Sequence, residues 1–264
     1  KTRFGQFGMK DFGKASNELF TQFVARIAKE IPNATLAMFS KMKYINAQTL
    51  QTFRSRWLAK YQAGFVVHSK SFEGLKGDFP IGFCIWKTSN AIVSETKQSK
   101  YAFPSEISCE VLNKSTNPIG EKKFYNAPNE RYLATWIDRP EPNATEIIPL
   151  KNAISPATRT TDLRCKFWSD GAVGYMRVNS NDMQQANDTS LFSSGYSGGH
   201  GFYVNSENLS DLAIVFTVRK VVVHTWLNDI DQFLQPKCEL PDEFKNDCLV
   251  WMLFNGSNLT ASAN

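Results

Sequence analysis

Hydrophobic positions recur at helical spacing from Leu19 to Ile31, with Leu19, Phe20, Phe23, Val24, Ile27 and Ile31 in step. That period predicts an amphipathic helix, capped by Ser16 and stopped by Pro32. The apolar run from Thr35 to Phe39 predicts a buried strand. A second helical pattern covers Asn46 to Lys60, with Leu50, Phe53, Trp57 and Leu58 inward and Arg54 and Arg56 outward. Two further apolar runs, Gly64 to Val67 and Pro80 to Trp86, flank a loop of Ser, Lys, Gly and Asp, which is the pattern of strand, exposed loop and strand. The loop is too short for a crossover helix, so its strands are expected to pair antiparallel. Helix, strand, helix, strand, strand predicts an open α/β sheet, mostly parallel, with a reversed last strand.

Beyond Thr88 the pattern breaks into short pieces. Residues 89–150 hold apolar fragments among Ser, Asn, Lys and Pro, as in hairpins and long loops, with a break at Pro140 to Asn143. LRCKFW, GYMRV and GFYV between 163 and 204 read as short strands, parted by a polar loop at 179–189 and a glycine-rich turn at 195–201. The stretch 209–226 predicts a long buried helix with Arg219 and Lys220 near its end, and a last helix lies around 244–254. The expected organisation is a core over 1–88, a β-rich region over 89–204 and a helical segment over 205–264. The opening KTRFGQFGMKDFGK shows no apolar period and reads as a basic loop; without an initiator Met, the chain is expected to be a piece of a longer protein.

At 264 residues there is enough apolar content for a sizeable core, in one large or two small domains. The net charge of +5 is modest, but residues 1–60 carry eleven Lys and Arg against three acids, while 205–264 carry four against eight. A basic front suits an anionic partner; a solvated surface of mixed sign accounts for it equally. Five cysteines, an odd number, lack CxxC or Cys/His ligand spacing, so neither zinc nor a disulfide framework is expected and a reducing cytoplasm fits. No apolar run reaches membrane-spanning length and no signal peptide opens the chain, so the seven N-x-S/T sequons are read as accidents of composition.

Candidate chemistry centres on the loop between the two central strands, where Phe72 lies between Lys70 and Lys76. An aromatic face beside two cations suits a nucleotide base with its phosphates; a ring folded back onto the core is the alternative. Asp229 and Asp231 form a carboxylate pair two apart, either metal ligands of a nuclease or a charged turn. No GxxxxGK[ST] phosphate loop occurs. No catalytic residue and no metal ligand is assigned.

Six phrases carry a resemblance: ASNELFTQFVARIAKEIPNATLAMFSKMKYI, FRSRWLAKYQAGFVVHSKSFEGLKGDFPIGFCIWKT, NSNDMQ, GHGFYVNSENL, VRKVVVHTWLNDIDQFL and FKNDCLVWMLFNGSN. Together they span most of the chain and resemble the back half of adenine-N6 DNA methyltransferases of restriction-modification type. The resemblance implies part of a Rossmann-like methyltransferase sheet with an antiparallel last strand, followed by a mixed α+β recognition region. It implies double-stranded DNA as partner, and S-adenosylmethionine as cofactor of the full-length protein. This chain alone is expected to bind no methyl donor and to be inactive, because neither the Gly-rich donor motif nor an Asn/Asp-Pro-Pro-Tyr/Phe motif occurs in it. A missing N-terminal half would be its other partner. Phe72 matches the family's aromatic that packs against a flipped adenine. Lys70 and Lys76 would then contact phosphates, and Lys1, Arg3, Lys10 and Lys14 would close over the same cleft. A non-catalytic DNA-binding specificity module and a metal-dependent nuclease are the alternatives.

Overall fold

The structure is a computed structural model and describes residues 2–92, 101–137, 139, 145–146, 167–168, 171–192 and 201–256. Its opening residues are helical, where a loop was expected. α1 (Arg3–Phe7) is followed by a 3-10 stretch, Lys10–Asn17, and Met9, Phe12 and Ala15 are buried beneath it. Gly13, at φ 57° and ψ −135°, breaks the stretch into two short turns, so no single helical period joins these three and a search at 3.6 passes over them. α2 (Leu19–Glu30) falls where the pattern placed it, but Ser16 does not cap it: its hydroxyl donates to the Gly13 carbonyl at 2.9 Å. The buried side of α2 is Thr21, Gln22, Val24, Ala25 and Ala28, while Leu19 is 70% exposed and Phe23 and Ile31 also face solvent. Polar anchors orient the helix. The Thr21 hydroxyl donates to the Ala15 carbonyl at 2.6 Å, and Gln22 Nε2 donates to the Ser16 carbonyl at 2.8 Å.

After β1 (Thr35–Lys41) come α3 (Lys43–Asn46), a 3-10 turn (Gln48–Leu50) and α4 (Gln51–Arg56), which gives way at once to β2 (Trp57–His68). The helix expected to reach Lys60 therefore stops four residues short, because Trp57 and Ala59 bury as alternate residues of a strand. Arg54, expected outside, is 1% exposed. Its Nε donates to Asn126 Oδ1 at 2.5 Å and its Nη1 to the Ala47 carbonyl at 2.8 Å. Those acceptors replace the water that the guanidinium gives up.

β3 (Pro80–Ile92), β4 (Glu106–Leu112) and β5 (Pro118–Tyr125) complete a five-stranded mixed sheet of order β1-β3-β2-β4-β5. β3 is antiparallel to both neighbours, so β1 and β2 run the same way with a reversed strand between them. β2 and β4 pair in parallel, and β4 and β5 form an antiparallel hairpin. The expected antiparallel pairing of β2 and β3 is present; the expected predominance of parallel pairs is not, because β3 inserts between the two like-directed strands. Leu36, Trp57, Val66, Cys84, Trp86, Ile107 and Phe124 point into one core beneath this sheet. Gly64 pairs with Cys84, and a Cβ at Gly64 would stand 2.7 Å from the Phe83 carbonyl oxygen. Cys84, Cys109 and Cys248 are buried free thiols. The Cys84 thiol is pushed up by its hydrogen bond with Cys109 first and by burial second.

The chain divides into two units: residues 1–130 with 224–232, and residues 131–223 with 233–264. In the second, β8 (Gly174–Val178), β9 (Thr189–Phe192) and β10 (Gly201–Val204) form an antiparallel sheet of order β10-β8-β9, and β6 (Thr145–Glu146) pairs with β7 (Phe167–Trp168). α5 (Leu209–Val221) and α6 (Asp242–Asn255) share a core with that three-stranded sheet through Met176, Phe202, Leu212, Phe216 and Met252. α5 ends before the expected Trp226. Buried Arg219 donates to Thr189 Oγ1 at 2.7 Å and to the Gln185 carbonyl at 2.8 Å, and burial pushes its pKa down to about 10.

After α5 the chain returns to the first unit. Ile230 joins the first core, and its carbonyl accepts from Asn46 Nδ2 at 2.8 Å. Among the described residues no helix is long and apolar enough to cross a membrane. Lys1, the break at Pro140 to Asn143 and most of the glycine-rich turn at 195–201 lie outside the described residues.

Candidate nucleic-acid interface

The loop joining β2 to β3 is clasped at its base. Ser69 is fully buried; its hydroxyl donates to the Gly77 carbonyl at 2.7 Å and accepts from the Phe79 amide at 3.3 Å. The Ser69 amide donates to the Phe79 carbonyl at 2.9 Å. His68 works on the outer side: its Nδ1 accepts from the Lys70 amide at 3.0 Å, which leaves the ring proton on Nε2, 3.2 Å from Asp78 Oδ1. The imidazole packs against the Trp226 ring, with centroids 5.0 Å apart. Lys70 closes the set by pairing with Asp78 at 2.5 Å, and that bond, ahead of the fields of His68 and His224, holds the Asp78 carboxyl below its ordinary value.

Phe72 is neither in the core nor free in the loop. It is half-buried and lies edge-on to Phe39, with centroids 5.2 Å apart and planes at 72°. Phe39 belongs to a row on the sheet face opposite the core. It pairs in register with Phe83, which pairs with Phe65, so three rings line up across β1, β3 and β2. Phe65 and Phe83 stack at 24° and 5.4 Å, and Phe39 is 48% exposed. Lys41, two residues beyond Phe39, holds its ammonium 4.0 Å from the Phe79 ring centroid. An edge-on aromatic contact of this kind fixes a ring with its partner still accessible, and a base can stack on such a surface.

The other expected contacts divide. Lys76 is exposed and makes no ion pair among the described residues, whereas Lys70 is engaged by Asp78. Lys10 and Lys14 are exposed on the 3-10 stretch. Arg3 lines a separate cavity with α2, to which no residue of the β2–β3 loop contributes. Asp229 and Asp231 each have a partner of their own: Asp229 Oδ1 lies 2.7 Å from His224 Nε2, and Asp231 pairs with Lys122. No group of three or more His, Cys, Asp or Glu side chains converges for a metal among the described residues. Sequence reading missed Phe39, Phe65, Phe83 and Lys41. The signal was present, since each ring sits on the solvent-side parity of its strand, but only the register aligns them.

S-adenosylmethionine, which the resemblance implies, presents ribose hydroxyls, an ammonium and a carboxylate, and so asks for an acid and several polar donors. Two cavities among the described residues do not offer that set. A cavity of about 540 Å³ in the second unit, between β9 and α6, is lined by Leu191, Phe192, Leu249, Met252 and other residues without a charged side chain. The cavity at Arg3 sets three cations against one acid that is already paired. No family model, no curated protein and no solved structure matches the chain.

Proposed function

We propose that this chain is part of a DNA adenine-N6 methyltransferase of a restriction-modification system, in which it supplies contact to the target base and recognition of DNA. The observation that carries the reading is Phe72: half-buried, seated edge-on against exposed Phe39, and projected by a loop whose two ends are bonded together at Ser69. An adenine turned out of the duplex loses its stacking neighbours and takes a ring of this kind as a wall. Lys76 and Lys41 would meet the flanking phosphates, contributing affinity without reading sequence. The reversed strand β3 between like-directed β1 and β2 supports a Rossmann-like methyltransferase sheet with an antiparallel last strand. Buried free thiols support a reducing cytoplasm. Methyl transfer itself is assigned to no residue of this chain, and S-adenosylmethionine would be held elsewhere in the whole enzyme.

Fluorescence anisotropy with duplexes containing one unpaired adenine tests the reading. Phe72→Ala should weaken binding by about 1–3 kcal/mol, the usual range for losing a base–aromatic stack. The loss should be much smaller on the fully paired duplex. Lys76→Ala should weaken both duplexes alike and reduce the slope of log affinity against log salt by about one. Equal binding by wild type and Phe72→Ala on the unpaired-adenine duplex would remove the base-contact role.

A further inference from the structure

A second place in the first unit combines aromatic rings with cations, and it lies apart from the β2–β3 loop. A cavity of about 520 Å³ opens between α1 and α2, walled by Arg3, Phe4 and Phe7 from one helix and Arg26, Lys29 and Glu30 from the other. The volume falls in the ordinary range of small-ligand sites, about 300–1,000 Å³. On α2 the residues at positions i, i+3 and i+4 bring Arg26, Lys29 and Glu30 to one side. Glu30 takes Arg26, with Nε to Oε1 at 2.9 Å. Arg3 and Lys29 make no ion pair among the described residues, so two cations face the cavity uncompensated. Phe7 is 67% exposed beside them, and Phe4 is partly buried against the core.

The walls are set by the fold. The Thr2 hydroxyl donates to Gln22 Oε1 at 2.5 Å and accepts from the Gly5 amide at 3.0 Å. Gly5 rests directly on Gln22, where a Cβ would come within 2.8 Å of the side-chain amide. The spacing between the two helices is therefore fixed by contacts outside the cation and ring positions, and a ligand entering there spends little on ordering the two helices.

We propose that this cavity binds a nucleoside phosphate, the aromatic base against Phe7 and Phe4 and the phosphate between Arg3 and Lys29. Guanidinium and ammonium groups supply charge-assisted bonds to phosphate oxygens, and a phenyl face accepts any base. The same chemistry is presented by a free nucleotide and by a nucleotide within a single strand.

Isothermal titration calorimetry of the full chain separates the possibilities, with adenosine 5′-monophosphate, adenosine, inorganic phosphate and a short single-stranded oligonucleotide as probes. The monophosphate should bind about tenfold tighter than either adenosine or phosphate, since only it engages both the rings and the cations. Arg3→Ala, Lys29→Ala and Phe7→Ala should each weaken it by about tenfold. Glu30→Gln, which releases Arg26, should tighten it by about two- to threefold. All four substitutions alter exposed side chains, so melting temperatures should stay at the wild-type value. Phe72→Ala should bind the monophosphate as wild type does, which keeps this test independent of the base-contact role proposed above. An oligonucleotide that displaces the monophosphate identifies a strand as the occupant, and one that does not identifies a free nucleotide. Absence of monophosphate binding, phosphate binding as tightly as the monophosphate, or Arg3 and Lys29 variants that match wild type would overturn the proposal.

Discussion

At the scale of single residues, the paired charges of the first unit have well-defined consequences for pH. Asp231 is pushed up by burial, and Lys122 pulls it back only in part. With the cation gone, nothing offsets that burial, and the carboxyl pKa in the folded state stands further above the unfolded value. A group of that kind binds more protons folded than unfolded, so stability falls as pH rises through the folded pKa. Lys122→Met should therefore cost about 1–3 kcal/mol at pH 8 and distinctly less at pH 4, where protonation removes the stranded charge. Urea denaturation at the two pH values measures this; an equal loss at both would mean that Asp231 finds another cation. Asp78 is the opposite case, held low by Lys70, so its contribution is present at neutral pH and is lost only as pH falls through its lowered value.

At the scale of elements, the β2–β3 hairpin depends on two small residues. Gly64 lies under the Phe83 carbonyl, and no neighbouring backbone can yield to a methyl group there; Gly64→Ala should destabilise the protein by about 1–3 kcal/mol through overpacking, read as a lower midpoint in a denaturant titration. Ser69 acts locally. Ser69→Ala leaves the Gly77 carbonyl and the Phe79 amide without their hydroxyl partner, at about 1–2 kcal/mol. Hydrogen exchange should show faster opening of residues 69–79 with the sheet amides unchanged; unchanged protection of Phe79 would assign the clasp to the His68–Asp78–Lys70 set instead. Much of this hairpin was legible in advance, because two apolar runs around a polar loop specify both strands and their antiparallel pairing. Other elements were not. The burial of Met9, Phe12 and Ala15 runs across the break at Gly13, and the helix expected to reach Lys60 hid a strand, since Trp57 continues a helical face as readily as it begins an alternating one. Arg54 could be placed inside only once the carbonyls of Tyr44 and Ala47 were known to converge on it. The same limit applies to the candidate site: Phe72 stood out in the sequence, while its neighbours on the sheet required the register.

At the scale of the whole molecule, neither unit is one continuous length of chain. Residues 224–232 belong to the first unit although both of their flanks belong to the second. The segment brings a core side chain, Ile230, an acceptor for buried Asn46 and the anion for Lys122. A chain ending at Glu130 would keep the five-stranded sheet yet leave Asn46 and Lys122 without these partners. It should unfold at lower denaturant than the intact protein, and a separate peptide covering 224–232 should restore part of the difference. A truncated chain as resistant as the first unit of the intact protein would show that the returning segment is an appendage.

That returning segment also orders events during synthesis. When Glu130 leaves the ribosome, every strand of the first sheet exists, but the residue that completes its core is about a hundred codons away. At about 5–20 residues per second the wait is about 5–20 s. For that interval Asn46 and Lys122 lack their native partners, and the nascent first unit is at its most exposed to chaperones and proteases.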